Sequence, residues 1–264
     1  MNRIDNLFQT KKNNILSIYF TAGFPNLNDT EEILLQLQNA GVDMVEVGMP
    51  FSDPMADGVV IQDSSHQALL NGMNLDILFD QLIKIKKEIR IPIILMGYFN
   101  PVFKYGVNNF CKKCVSAGVS GVIIPDLPLE VYLDEYAALF DQHELYYIPL
   151  VTPQTPDQRI AKLGMKSKGF IYMVSTASIT GSRPNLENNH DYFLRVRKIL
   201  PETPLMIGFG IQDSNSFATA NKYANGGIIG TAFIRTLKEA SMKTDYKEIL
   251  SHKIDAFIQS IRGN

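Results

Sequence analysis

The sequence predicts a parallel (β/α)8 barrel spanning residues 1–264 as a single domain, with an extra helix ahead of the first strand. Three observations carry this reading. Short β-branched runs recur at fairly even spacing, segments with apolar residues at helical spacing separate them, and several of the helical segments end at glycine and turn at once into the next strand. Strand followed by helix, repeated, means parallel pairing, and about eight such units in 264 residues fit a closed barrel. A doubly wound open sheet more often stops at about five or six strands.

Taken in order, Ile4, Leu7 and Phe8 share one helical face, so the first helix is expected to cover the barrel floor. "ILSIYF" (15–20) is the first strand, followed by Ile33, Leu34, Leu37 and Ala40 at helical spacing. "MVEVG" (44–48) is the second strand. Leu75, Leu78, Phe79, Leu82, Ile83 and Ile85 mark the helix ahead of "IPIILMG" (91–97). The remaining strands are "GVIIP" (121–125), "YYIPLV" (146–151), "FIYMVS" (170–175), "PLMIGFG" (204–210) and "GIIGTA" (227–232). "AGVDMVEVG", "AGVSGVIIP" and "ANGGIIGTA" resemble one another as helix-to-strand turns at glycine. No linker or low-complexity segment divides the chain.

Composition excludes several function classes. Apolar residues make up 45% and charged residues 20%, the balance of a folded globular protein. A formal charge of −2 and no Lys/Arg run leave nothing to neutralise a phosphodiester backbone, so nucleic acid is not an expected partner. The opening "MNRIDNLFQTKKNN" lacks an apolar run of signal-peptide length, and no segment offers the ~18 consecutive apolar residues of a membrane span. A cytoplasmic location is expected. Cys111 and Cys114 form a lone C-x-x-C without a second pair or a nearby His, and read as ordinary reduced thiols. His66, His143, His190 and His252 are scattered without ligand spacing, so no metal is expected.

A barrel places its chemistry at the C-terminal ends of the strands and the loops that follow them. Glu46 lies on the second strand and is buried whichever face it takes; it is either a proton carrier with a raised pKa or a structural carboxylate bonded to a partner. The next loop, "MPFSDPMADG", adds Asp53 and Asp57. Each is either a turn residue or a second carboxylate brought over the mouth. Gly-bearing turns follow the last three strands, and Gly181, Gly210, Gly230 and Thr231 suit a phosphate held by backbone N–H groups. The sum points to acid–base chemistry on a phosphorylated small molecule.

Over essentially its whole length the chain resembles the tryptophan synthase alpha subunit family. "VEVGMPFSDPMADGVVIQ" is similar to the signature around that family's catalytic Glu and Asp, and "YFTAGFP", "MGYFNPVFKYG", "PDLP", "YMVSTASITG", "GFGI" and "GTAF" follow in the family's order. The resemblance implies retro-aldol cleavage of indole-3-glycerol phosphate to indole and glyceraldehyde 3-phosphate, with indole passed to a beta subunit that carries PLP. It implies no cofactor in this chain and an alpha2beta2 complex. It gives Glu46 the family's acid–base position and Asp57 the position that bonds the indole N–H. It places indole among Tyr19, Met96, Tyr98, Ile124, Tyr172 and Phe209, gives Thr180 a part in loop closure, and sets Asp126 and the loop around Asp53 toward the beta subunit. Departures are Thr176 and Ser178, where the family more often shows Arg and Gly, Val59 in place of a usual Pro, and Thr231 in place of a common Ser. A free-standing lyase and a non-catalytic phosphate-binding barrel stay open as alternatives.

Overall fold

The computed structural model describes residues 1–175 and 186–263. Among them nine parallel strands form one sheet: β1 (Ile15–Thr21), β2 (Met44–Gly48), β3 (Ile93–Met96), β4 (Gly121–Ile123), β5 (Tyr146–Tyr147), β6 (Leu150–Val151), β7 (Ile171–Val174), β8 (Leu205–Gly208) and β9 (Gly226–Ile229). The spatial order is β5-β4-β3-β2-β1-β9-β8-β7-β6. Its two outer members are consecutive in the chain. Between them Ile148 donates its N–H to the Val122 carbonyl at 2.9 Å, and the Pro149 carbonyl accepts from Tyr172 N–H at 3.0 Å. Residues 146–151 therefore close the ring as one barrel position in two pieces. Proline supplies no N–H, which interrupts the ladder where the predicted fifth strand splits.

Strands β1 and β2 are buried along their whole length, as a sheet covered by helices on the outside and side chains within requires. The helical runs read from the sequence form as Asp29–Asn39 and Leu75–Ile85, each burying its Leu/Ile stripe. Gly41 (φ 85°) and Gly118 (φ 77°) take the left-handed conformation expected at their helix-to-strand turns. The third such turn differs. Gly226 is the first residue of β9, where a Cβ would run into the Ile15 carbonyl, so it serves close strand packing rather than a helix end.

The first helix, Arg3–Thr10, covers the floor as expected. Asn2 caps it by accepting from Ile4 N–H at 2.9 Å, and the same side chain donates to the Ser120 and Glu144 carbonyls just ahead of β4 and β5. Beside it, Asp43 receives Lys11 Nζ at 2.7 Å, Arg262 from the last helix (Tyr246–Arg262) at 2.7 Å, and Leu16 N–H at 2.8 Å. Three separate parts of the chain thus meet on one carboxylate.

Candidate active site

Parallel register puts Tyr19, Glu46 and Ile94 in one row across β1, β2 and β3. Glu46 is completely enclosed. Ser17 Oγ lies 3.4 Å from Oε1, while Oε2 has no hydrogen-bond partner among the described residues. Burial pushes the Glu46 carboxyl up to about 8, against a smaller opposing pull from the Ser17 hydrogen bond. Near neutral pH this group holds a proton it can give up. That removes the reading of Glu46 as an ordinary ion-paired carboxylate, since no cation pairs with it among the described residues.

Asp57 sits half-buried in the loop after β2, ahead of the helix Val59–Leu70. The Tyr98 hydroxyl accepts from Ala56 N–H at 2.9 Å and donates to Asp57 Oδ2 at 3.1 Å, so one phenol fixes both the loop backbone and its carboxylate. Desolvation raises Asp57 to about 6, opposed by the Tyr98 bond, and leaves it ionised for the most part at neutral pH. Asp53, in contrast, is exposed and accepts from Ser52 Oγ at 2.5 Å. The two aspartates of the loop are therefore separated by burial and partner.

A narrow cavity, open to solvent, is lined in part by Tyr19, Met96, Tyr98 and Asp57. Four of the sequence-predicted residues are brought together there, joined by Met49, Phe51 and Ser65, which sequence reasoning did not single out. Glu46 is not part of that lining but sits beside Tyr19, which is. Ile124 is buried beside Pro125 of the cavity wall, and Tyr172 packs edge-on to Phe209 with ring centroids 6.1 Å apart. Neither of these two rings lines the cavity, yet the electrostatics of Tyr172 respond to both Glu46 and Asp57. The Tyr19 and Tyr172 hydroxyls occupy the space where side chains at Gly48 and Gly208 would begin, so the strand ends must be glycine for these phenols to lie flat across them.

At the end of β8, Phe209 has φ 67°, a backbone conformation that costs about 1–3 kcal/mol for a bulky residue. Ser175 Oγ holds it by donating to the Phe209 carbonyl at 2.5 Å. Gly210 follows with φ 81°. At the neighbouring strand end Gly230 caps the helix Thr231–Ser241, whose hydrogen-bond ladder begins with Ile234 N–H on the Gly230 carbonyl, leaving the N–H groups of Thr231, Ala232 and Phe233 ahead of it. Gly210 and Gly230, the latter followed by Thr231, thus stand just past the ends of the paired strands β8 and β9. Thr180 and Gly181, with Thr176 and Ser178, lie outside the described residues.

Other candidates resolve differently. Asp126 accepts from Phe99 N–H at 2.9 Å and so holds the start of the helix Phe99–Tyr105. Cys111 and Cys114 are both buried in the helix Val107–Ala117; burial pushes Cys111 up to about 12 and Cys114 well above the usual thiol range, which makes both unreactive at neutral pH. Among the described residues no cluster of His, Cys, Asp and Glu could hold a metal ion, and no helix is long and apolar enough to cross a membrane. Ser17 was also missed. Its signal was a single small polar side chain in an otherwise apolar or aromatic strand, "ILSIYF".

The sequence profile of the family described as "Tryptophan synthase alpha chain" matches residues 5–261. The chain belongs to that family. The tryptophan synthase alpha chain of Flavobacterium johnsoniae is 51% identical over 263 residues, covering 99% of this chain and 100% of that one. That of Parabacteroides distasonis is 52% identical over 239 residues, covering 90% and 93%. Among solved structures, the tryptophan synthase alpha chain of Legionella pneumophila superposes with a TM-score of 0.88 at 33% identity, covering 100% of this chain and 98% of that one. As a tryptophan synthase alpha chain the molecule is a lyase of tryptophan biosynthesis, built on the barrel that these neighbours share.

Proposed function

We propose that this chain cleaves indole-3-glycerol phosphate to indole and glyceraldehyde 3-phosphate, with Glu46 as the proton carrier and Asp57 as the partner of the indole nitrogen. The observation that carries the assignment is the enclosed, proton-holding Glu46 carboxyl at the centre of a tryptophan synthase alpha barrel.

The chemistry follows from what the substrate needs. Protonation of indole C3 by Glu46 makes that carbon tetrahedral and leaves the ring as an indolenine with positive charge at nitrogen. Asp57, ionised and held by Tyr98, stabilises this charge by accepting the N–H. Glu46, now a carboxylate, takes the proton of the glycerol hydroxyl beside the ring; the carbon–carbon bond breaks as that carbon becomes an aldehyde, and the bonding pair restores the indole. One proton is given and one returned. Tyr19, Met96 and Tyr98, with Ile124, Tyr172 and Phe209 nearby, supply an aromatic and apolar wall for the ring. Gly210, Gly230 and Thr231 offer backbone N–H groups to the phosphate.

The same reading places a beta subunit over the mouth. Met55 (89% exposed), Val59 (71%) and Phe103 (61%) leave apolar surface beside the cavity loops. A solved tryptophan synthase complex from Pyrococcus furiosus contains a chain 29% identical to this one, with a TM-score of 0.85 over 96% of this chain and 100% of that one. PLP belongs to the beta subunit on this reading, the alpha chain works without a cofactor, and the setting is the cytoplasm.

Indole release from indole-3-glycerol phosphate, measured with and without a beta subunit, tests the proposal. Turnover is expected to rise on adding the partner; an unchanged rate would instead make this a free-standing lyase. Glu46→Gln is expected to lose about 10²–10⁴-fold in turnover while still binding a phosphorylated analogue, and Asp57→Asn to lose at least about tenfold. Wild-type turnover in Glu46→Gln would sink the mechanism.

A further inference from the structure

The two oxygens of the Glu46 carboxyl have unequal surroundings. Oε1 has the Ser17 hydroxyl at 3.4 Å, and that is the only hydrogen bond described for the Ser17 side chain; Oε2, equally enclosed, has none. Ser17 is itself completely buried, on β1 two residues before Tyr19, and β1 pairs directly with β2. Among the described residues this carboxyl is the one acceptor of the buried hydroxyl, which is thereby directed at Oε1.

The proposed reaction requires Glu46 to act first as an acid and then as a base. A serine hydroxyl suits both states, because it donates to Oε1 whether that atom is a carboxylate oxygen or the carbonyl oxygen of the acid whose proton sits on Oε2. A Lys or Arg in its place would serve only the ionised form. We infer that Ser17 is a positioning residue that holds Oε1 through both protonation states and so leaves Oε2 as the oxygen that exchanges the proton with substrate. This rests on the assignment of Glu46 as the proton carrier. Among the described residues the titratable groups that sense Glu46 are Tyr19 on β1 and Tyr172 on β7. Asp57, in the loop after β2, acts on the same two phenols. Burial holds both phenols protonated throughout the working range, and Asp57, raised to about 6, titrates on the acid side, so the alkaline limb is the one that reads Glu46.

Ser17→Ala and Ser17→Cys, assayed for indole release across pH 6–10 together with Glu46→Gln, test the inference. Removing a donor to the carboxylate raises its proton affinity. The alkaline limb of kcat in Ser17→Ala is therefore expected to move upward by about one pH unit, with kcat falling about tenfold and KM staying within about twofold. Ser17→Cys, nearly isosteric and a weaker donor, is expected to fall between wild type and Ala. Circular dichroism checks folding; should Ser17→Ala not fold, the limb of Ser17→Cys against wild type gives the same comparison. An unmoved limb and unchanged kcat, or a KM effect without a kcat effect, overturns the role of Ser17. If that occurs while Glu46→Gln is inactive, only this inference fails; if Glu46→Gln is active, the assignment of Glu46 fails with it.

Discussion

Glu46 has one hydroxyl to answer a full negative charge, and that imbalance reaches beyond catalysis into stability. In the unfolded chain its pKa lies near 4.5, and in the folded barrel near 8. Below about 4.5 the group is protonated in both states and folding loses nothing. As pH rises from 4.5 through 8 the unfolded chain ionises first, so stability declines across that window, by an amount on the order of a few kcal/mol at its upper end. Glu46→Gln removes the titration. Its melting temperature is expected to exceed that of wild type at pH 9 and to converge with it near pH 5, and parallel melting curves at all pH values would contradict the burial argument. The enclosure of Glu46 was legible in the sequence because an unbroken apolar strand leaves no exposed face. The difference between Asp53 and Asp57 was legible only through the family resemblance, not from the residues around them. It depends on the Tyr98 hydroxyl, contributed from 41 positions further along the chain, and no local pattern marks that meeting.

The loop after β2 is held from the helix that follows it. Ser65 Oγ accepts from Phe51 N–H at 2.9 Å and donates to the Phe51 carbonyl at 3.1 Å, Gln62 Nε2 donates to the Asp57 carbonyl at 2.8 Å, and the Phe51 and Tyr98 rings lie 5.3 Å apart. Ser65→Ala removes two of these bonds without touching the carboxylate. The expected result is a loss of about 1–2 kcal/mol in thermal unfolding and a several-fold drop in kcat/KM, read from melting curves and steady-state assays. Undiminished activity would show that Tyr98 and Gln62 suffice to order the loop. Element by element, β-branched runs and helical stripes revealed the strands and helices because burial imposes those periods. The split of the fifth strand needed the ladder on both of its sides, since Pro149 alone reads as a strand end as readily as a break. The left-handed Phe209 had no sequence signal, because that conformation is imposed by Ser175 and the neighbouring strand end rather than preferred by phenylalanine.

On the scale of the whole molecule, the floor and the mouth are divided between stability and chemistry. Asp43 gathers Lys11, Arg262 and Leu16 N–H, while Arg262 also donates to the Asn14 and Gly41 carbonyls. Removing a largely enclosed carboxylate would leave two cations and a backbone donor without their common acceptor. Asp43→Ala is expected to lower unfolding free energy by about 2–4 kcal/mol, and to speed amide exchange in the helices Arg3–Thr10 and Tyr246–Arg262. Turnover per folded molecule is expected to stay near wild type. A variant with normal exchange in both helices would show that the apolar packing of Ile4, Phe8, Ile254 and Ile258 suffices to hold them.

The meeting of the first and last helices beneath the barrel bears on how the molecule can be handled. Anything joined before Arg3 or after Arg262 emerges on the underside, at the opposite end of the strands from Asp57 and the open loops. An affinity tag, a fluorescent reporter or a surface tether placed at either position leaves the mouth facing outward, so an immobilised chain presents one uniform orientation to substrate and to any second protein in solution.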